Sequence, residues 1–224
     1  MSTVLVILSG CGVFDGAEIH ESVSTLLHLD RHDATVTFAA PDCEQSQVIN
    51  HLNSRPMAEK RNVRIEAGRI ARGPVEDLAA VNGDSFDAII LPGGLGAASN
   101  LSSFATRGAE CQVHEQVARV LREAHEASRP IGFICIAPSI AAKLFPGVTL
   151  TIGTDAGTAA ALESMGAHHQ ERPTEEICVD EANRIVTTPA YMTAQRIGQV
   201  YAGIGKLVDR VLAMAARPQP AAAK

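Results

Sequence analysis

Apolar residues follow two rhythms along this chain. Val4 to Leu8, a short unbroken run rich in β-branched residues, predicts a central strand buried on both faces, Phe86 to Leu91 predicts another buried strand, and Ala34 to Ala39, Ile131 to Ile134 and Val148 to Ile152 predict further strands. Between them the apolar positions recur at helical spacing. Ile19, Val23, Leu26 and Leu27 predict a helix from about Ala17 to Arg31, and Val63 to Ile70 predicts a second, with Arg61, Arg64, Glu66 and Arg69 outward. Val113, Val117, Val120, Leu121 and Ala124 form the stripe of a third helix after Cys111, and Ala159 to Met165 reads as a fourth. A last helix, about Ala194 to Ala215, carries Ile197, Val200, Tyr201, Ile204, Leu207, Val208 and Val211 on one side, a stripe suited to core or to dimer contact. Ile177 to Val179 and Arg184 to Thr187 flank a turn, which predicts a hairpin.

Strands alternating with helices through short turns define the fold class. The chain is read as α/β, a single-domain doubly wound mostly parallel sheet with helices on both faces, the flavodoxin-like sandwich. The domain spans 1–217, and the Pro/Ala-rich 218–224 reads as a frayed tail. Pro41 to Pro56 is polar and irregular, a loop of the kind that borders sites.

Composition narrows the partners. The 224 residues suffice for one large core, with 46% hydrophobic and 20% charged residues. A net charge of −6, no tryptophan, and only two tyrosines and six phenylalanines argue against a phosphate-binding or base-stacking surface, so no nucleic-acid partner is expected. The five cysteines are scattered and contain no Cys-x-x-Cys pair, which speaks against a disulfide framework and against a zinc cluster. The first apolar run is too short to span a bilayer and has no basic residues before it. The expectation is a reduced cytoplasmic protein with no membrane partner.

Chemistry concentrates at Arg129-Pro130-Ile131-Gly132-Phe133-Ile134-Cys135-Ile136-Ala137-Pro138-Ser139, which reads as strand, sharp turn, and a helix over Ile136 to Leu144. Cys135 then stands at the carboxyl edge of the sheet, where free N–H groups of the helix favour thiolate. Phe133 and Ala137 replace the glycines of a Gly-x-Ser-x-Gly elbow, and a plain buried cysteine is the competing reading. The turn after Leu8 leads into Asp15-Gly16-Ala17-Glu18-Ile19-His20-Glu21. Glu18 and Glu21, three apart, share a helix face, and either could partner Cys135 as an acid whose pKa is raised by shared hydrogen bonding; spacing does not choose between them. Pro92-Gly93-Gly94 offers backbone N–H donors to a developing oxyanion. The following Gly94-Leu95-Gly96-Ala97-Ala98-Ser99 lacks both the lysine of a P-loop and the last glycine of a dinucleotide fingerprint, so nucleotide binding is disfavoured.

Asp87-Ala88-Ile89-Ile90-Leu91-Pro92-Gly93-Gly94, the cysteine turn at 132–138 and Gly16-Ala17-Glu18-Ile19-His20-Glu21-Ser22 together resemble the ThiJ/PfpI superfamily, whose fold is that of class I glutamine amidotransferases. Ser9-Gly10-Cys11-Gly12-Val13-Phe14-Asp15-Gly16, Thr151-Ile152-Gly153-Thr154-Asp155 and Thr187-Thr188-Pro189-Ala190-Tyr191-Met192 are similar to its ElbB branch, known as isoprenoid-biosynthesis glyoxalases. The resemblance implies that Cys135 is the nucleophile and that its acidic partner falls on Glu21, leaving Glu18 in support or at the helix start. Gly93, Gly94 and the N–H of Ile136 would line the oxyanion pocket. Relatives that hydrolyse amides carry a histidine beside the nucleophile or after the next strand. Ile136 takes the first place and Gly153-Thr154-Asp155 the second, which argues against a complete Cys-His-acid triad. His20 and Thr154 are further candidates, and His168-His169 reads as solvated loop. The function implied is cofactor-independent, metal-free glyoxalase activity on a small aldehyde, methylglyoxal or glyoxal, by a homodimer. A redox-sensing or partner-binding module and an amidohydrolase are the alternatives.

Overall fold

The computed structural model describes residues 1–216, so the tail expected at 218–224 lies outside the described residues. The apolar runs form the centre of a seven-stranded sheet: β1 (Thr3–Ile7), β2 (Thr35–Ala40), β3 (Glu76–Asp77), β4 (Ala88–Leu91), β5 (Ile131–Ile134), β6 (Cys178–Asp180) and β7 (Ile185–Thr188). Their order across the sheet is β6-β7-β5-β4-β1-β2-β3, parallel throughout except for the β6–β7 hairpin. Registers such as Val4 opposite Ala88 and Ile89 opposite Ile131 bring the ends of β1, β4 and β5 to one edge. All four residues of β4 and of β5 are buried, which is why these strands read as unbroken apolar runs rather than alternating ones.

The main helices are α1 (Ile19–Arg31), α2 (Val63–Ala71), α3 (Leu95–Ser99), α4 (Glu115–Glu126), α5 (Pro138–Leu144), α6 (Ala156–Ser164) and α7 (Ile197–Ala215), with a single further turn of helix at Phe104–Arg107. Helix α7 packs on α1 and on β4, β5 and β7. Its stripe Val200, Ile204, Leu207, Val208 and Val211 is fully buried within the chain and is core rather than a dimer face, while Ile197 is half exposed. Gly132 makes room for it, since a Cβ there would lie 2.8 Å from Leu207 and 3.3 Å from Val211. On α4, Val117, Val120, Leu121 and Ala124 are buried and face β4 and β5.

Five readings change. The apolar positions read as the face of α1 are largely the exposed ones, Ile19, Val23 and Leu27, while Glu21, Ser22, Thr25 and Leu29 are buried. The run at 148–152 contributes only Thr149–Leu150, paired with His168–His169 in a separate ribbon, so these histidines lie in a strand rather than a loop. The reason is competition from side chains: Thr149 donates its N–H to Asp180 and Thr151 donates its own to the Thr187 hydroxyl, at 2.8 and 2.9 Å. Glu66, expected outward, is buried between the guanidinium groups of Arg61 and Arg69. The 41–56 loop holds a small ribbon, Ile49–Asn50 against Arg55–Pro56, clamped to the turn after β1 because Ile49 donates its N–H to the buried Asp15 carboxylate at 2.7 Å. The edge strand β3 has too few apolar residues to be read from sequence.

Candidate active site

Three turns at the carboxyl edge of the sheet, after β1, β4 and β5, converge on one sulfur. After β5, Cys135 adopts φ 62°, the left-handed region that costs a side-chain-bearing residue on the order of 1 kcal/mol or more. Its N–H donates to Thr188 O at 3.0 Å and Ala137 N–H donates to Ile134 O at 3.0 Å, which fixes the corner. Helix α5 therefore starts at Pro138, later than the expected Ile136, and Cys135 keeps 8% of its surface accessible.

The turn after β4 brings Gly93 between the sulfur and Glu21. Gly93 donates its N–H to Glu21 Oε2 at 2.9 Å and accepts the N–H of Glu18 at 3.0 Å. Gly94, at φ 91°, is pressed against the turn after β1, where a Cβ would lie 2.4 Å from Gly16 O. Glu21 is completely buried in the first turn of α1, and its Oε1 accepts the N–H of Tyr191 at 3.2 Å. Glu18 precedes the helix and caps it, its Oε2 accepting the N–H of Glu21 at 2.7 Å. Glu21 and Cys135 share a hydrogen bond.

Burial sets the charge of this pair. Loss of water, followed by the nearby Glu18 charge, pushes the Glu21 carboxyl up to about 8, against the pull of its hydrogen bonds with Tyr191, Cys135 and Gly93. The expected direction is right and the expected cause is not: shared hydrogen bonding lowers the value, and desolvation raises it. Cys135 departs from expectation outright. Burial and then the Glu21 charge hold its thiol well above the usual range, outweighing the N–H groups of Gly94 and Ile136 that face the sulfur. The thiolate favoured by a helix end does not form here because α5 begins three residues further on and a carboxyl stands alongside. The two groups titrate as a coupled pair, and burial holds both toward their protonated forms.

The other candidates separate cleanly. Gly94 and Ile136 supply N–H groups at the sulfur, whereas the Gly93 N–H is committed to Glu21 and is no free oxyanion donor. His20 is half exposed and sits 2.7 Å from the Tyr191 hydroxyl, with no hydrogen bond to Cys135 or Glu21. Thr154 is exposed and makes none of the contacts that hold the pair. Tyr191 and Thr188 were not singled out as site residues by sequence reasoning. Their only signal was the 187–192 stretch, which carried a resemblance without a role.

Gly93 gives a direct test of this arrangement. A Cβ there would fall 2.4 Å from Cys135 Cβ, 2.7 Å from Glu21 Oε2 and 2.8 Å from Ile134 O. Gly93→Ala is expected to destabilise the fold by about 2–3 kcal/mol, lowering Tm by roughly 5–10 °C. A melt unchanged from wild type would contradict the packing described.

Comparison with known proteins agrees with this architecture. Residues 5–202 match the DJ-1/PfpI family. The chain is 47% identical over 219 residues to the human glutamine amidotransferase-like class 1 domain-containing protein 3, mitochondrial, covering 93% of this chain and 82% of that one. It is 34% identical to the zebrafish ES1 protein, mitochondrial, over 96% of this chain and 87% of that one. The crystal structure of an isoprenoid biosynthesis protein with an amidotransferase-like domain from Ehrlichia chaffeensis superposes with a TM-score of 0.89 at 34% identity, covering 96% and 99% of the two chains. The mitochondrial relatives overturn the cytoplasmic expectation.

Proposed function

The chain belongs to the DJ-1/PfpI family, which includes glyoxalase-like proteins, and on that premise we propose that it is a cofactor-independent glyoxalase converting methylglyoxal to lactate or glyoxal to glycolate. The observation that carries this reading is the buried pair of Cys135 and Glu21, a nucleophile hydrogen-bonded to a carboxyl tuned to about 8. An aldehyde of two or three carbons suits a cysteine that keeps only 8% of its surface accessible.

In the active form Glu21 is ionised and Cys135 is a thiol. As the sulfur attacks the aldehyde carbon C1, its proton passes to Glu21, and the N–H groups of Gly94 and Ile136 take up the charge developing on oxygen. Glu21 then protonates that oxygen, completing a hemithioacetal. Ionised again, it removes the C1 hydrogen as a proton to give an enediolate and returns it to C2, while the C1 hydroxyl proton ends on the C2 oxygen, leaving a 2-hydroxyacyl thioester that water cleaves.

The alternatives lack these supports. Peroxide oxidises thiolate, and the surroundings of Cys135 hold it as thiol, which disfavours a redox sensor. Amide hydrolysis wants an imidazole on the sulfur, and His20, the histidine considered for that role, is hydrogen-bonded to Tyr191 instead.

The test is lactate formation from methylglyoxal in glutathione-free buffer; its absence overturns the reading. The rate of wild type is expected to climb about tenfold per pH unit on the acid side and to level above about pH 8, because only ionised Glu21 accepts the thiol proton. A profile already flat from pH 5 would remove Glu21 as the base.

A further inference from the structure

The turn from Thr188 to Met192 touches both members of the reacting pair. Thr188 O accepts the N–H of Cys135, and Tyr191 N–H donates to Glu21 Oε1. Between them Ala190 is fully buried at φ 44°, a left-handed conformation that an alanine adopts only under constraint from its surroundings. The turn is thus held in a strained shape that fixes where Tyr191 stands. The Tyr191 hydroxyl lies 2.7 Å from His20 Nδ1, and His20 Nδ1 lies 4.0 Å from Glu18 Oε1. Glu18 in turn accepts the N–H of Glu21. Burial and then the charges of Glu18 and Glu21 raise the phenol pKa, which keeps it protonated. The glyoxalase chemistry so far assigned leaves one atom without a partner, the carbonyl oxygen on C2.

We propose that the Tyr191 hydroxyl, backed by His20, is the proton donor and acceptor for the two oxygens of a 2-oxoaldehyde, and so selects 1,2-dicarbonyls over simple aldehydes. The inference rests on the glyoxalase reading. When Glu21 removes the C1 proton, the C–H electron pair becomes the C1=C2 double bond and the C2 carbonyl pair moves onto oxygen. That oxygen takes the phenol proton. In the second half Glu21 returns its proton to C2, the C1 hydroxyl sheds its proton to the phenolate, and C1 becomes the thioester carbonyl. No oxidant or reductant is consumed. The two oxygens of a cis enediol are neighbours, so one hydroxyl can serve both. A phenol carries one proton and two acceptor sites, so in the tautomer in which His20 Nδ1 carries the hydrogen the O–H is free to face the substrate.

Tyr191→Phe tests this without disturbing Glu21, because the contact to Glu21 is made by the backbone N–H, which phenylalanine keeps. Lactate formation from methylglyoxal is expected to fall by about 100-fold in kcat, with KM near that of wild type and the rise near pH 8 in place. Intact-protein mass spectrometry should still find methylglyoxal attached to Cys135, since capture precedes the step that needs the phenol. His20→Gln should show a weaker loss of the same kind. Turnover by Tyr191→Phe equal to wild type overturns the assignment while leaving the glyoxalase reading intact, and so does a loss accompanied by a displaced pH limb, which would make Tyr191 a support for Glu21. Absence of lactate from wild type itself overturns both.

Discussion

Cys135→Ala is expected to reduce glutathione-free lactate formation to the uncatalysed background. The proposed route makes every later step depend on a covalent bond between this sulfur and C1, so no partial activity should survive its loss. Cys135→Ser should behave alike, since a hydroxyl is a far weaker nucleophile than a thiol in a site with no imidazole on it. The measurement is lactate released per mole of protein, and turnover persisting in Cys135→Ala would reject the mechanism. The same position should separate activity from stability. At φ 62° alanine retains the left-handed strain that cysteine bears, and glycine does not. Cys135→Gly is therefore expected to be more stable than Cys135→Ala by about 1 kcal/mol, read as the difference between their urea midpoints. Equal midpoints would show that the corner is unstrained.

Glu21→Gln is expected to lower turnover by about 100- to 10,000-fold and to change how stability responds to pH. The carboxyl has a folded-state pKa of about 8 against an ordinary 4.5, so folding holds its proton more tightly. The stabilisation is full below about pH 4.5 and is lost as pH rises toward 8, because the folded chain binds one proton more than the unfolded chain across that window. The slope is about −1.4 kcal/mol per pH unit, and it vanishes above 8, where both states are ionised. Glutamine cannot titrate, and its amide leaves one of the N–H groups of Gly93 and Tyr191 without an acceptor, at a cost of about 1–3 kcal/mol. Wild type should therefore be the more stable protein near pH 5, with the two curves converging or crossing by pH 9. Urea titrations across this range check it, and parallel curves would show that residue 21 does not carry a raised pKa.

The covering of the site follows from the same balance. A carboxyl with no accessible surface and the thiol of a buried cysteine can hold protons at neutral pH only while water is kept out. The glycines serve that exclusion by letting backbone stand where side chains cannot: Gly93 between the two reacting groups, and Gly94 against Gly16. The committed Gly93 N–H shows the division of labour, with one amide positioning the acid and the next two, from Gly94 and Ile136, facing the sulfur.

Sequence by itself determined the elements whose signal is local. Strands covered on both faces have to be apolar throughout, so β1, β4 and β5 were legible, and α4 and α7 showed their buried stripes because one face of each meets the sheet or a neighbouring helix, whereas the stripe read on α1 is largely exposed. The cysteine corner and the Gly93-Gly94 turn were legible because tight backbone conformations restrict residue type. Spacing alone left Glu18 and Glu21 equivalent, and only the tertiary structure decided between them: one caps the helix, and the other is drawn under the turns after β4 and β7, out of reach of water. It also decided the protonation of Cys135, which depends on burial and on a carboxyl 114 positions away in the chain. The same holds for Tyr191, which is 170 residues from the carboxyl it contacts. Desolvation and charge coupling act through space, and no spacing pattern within one segment records them.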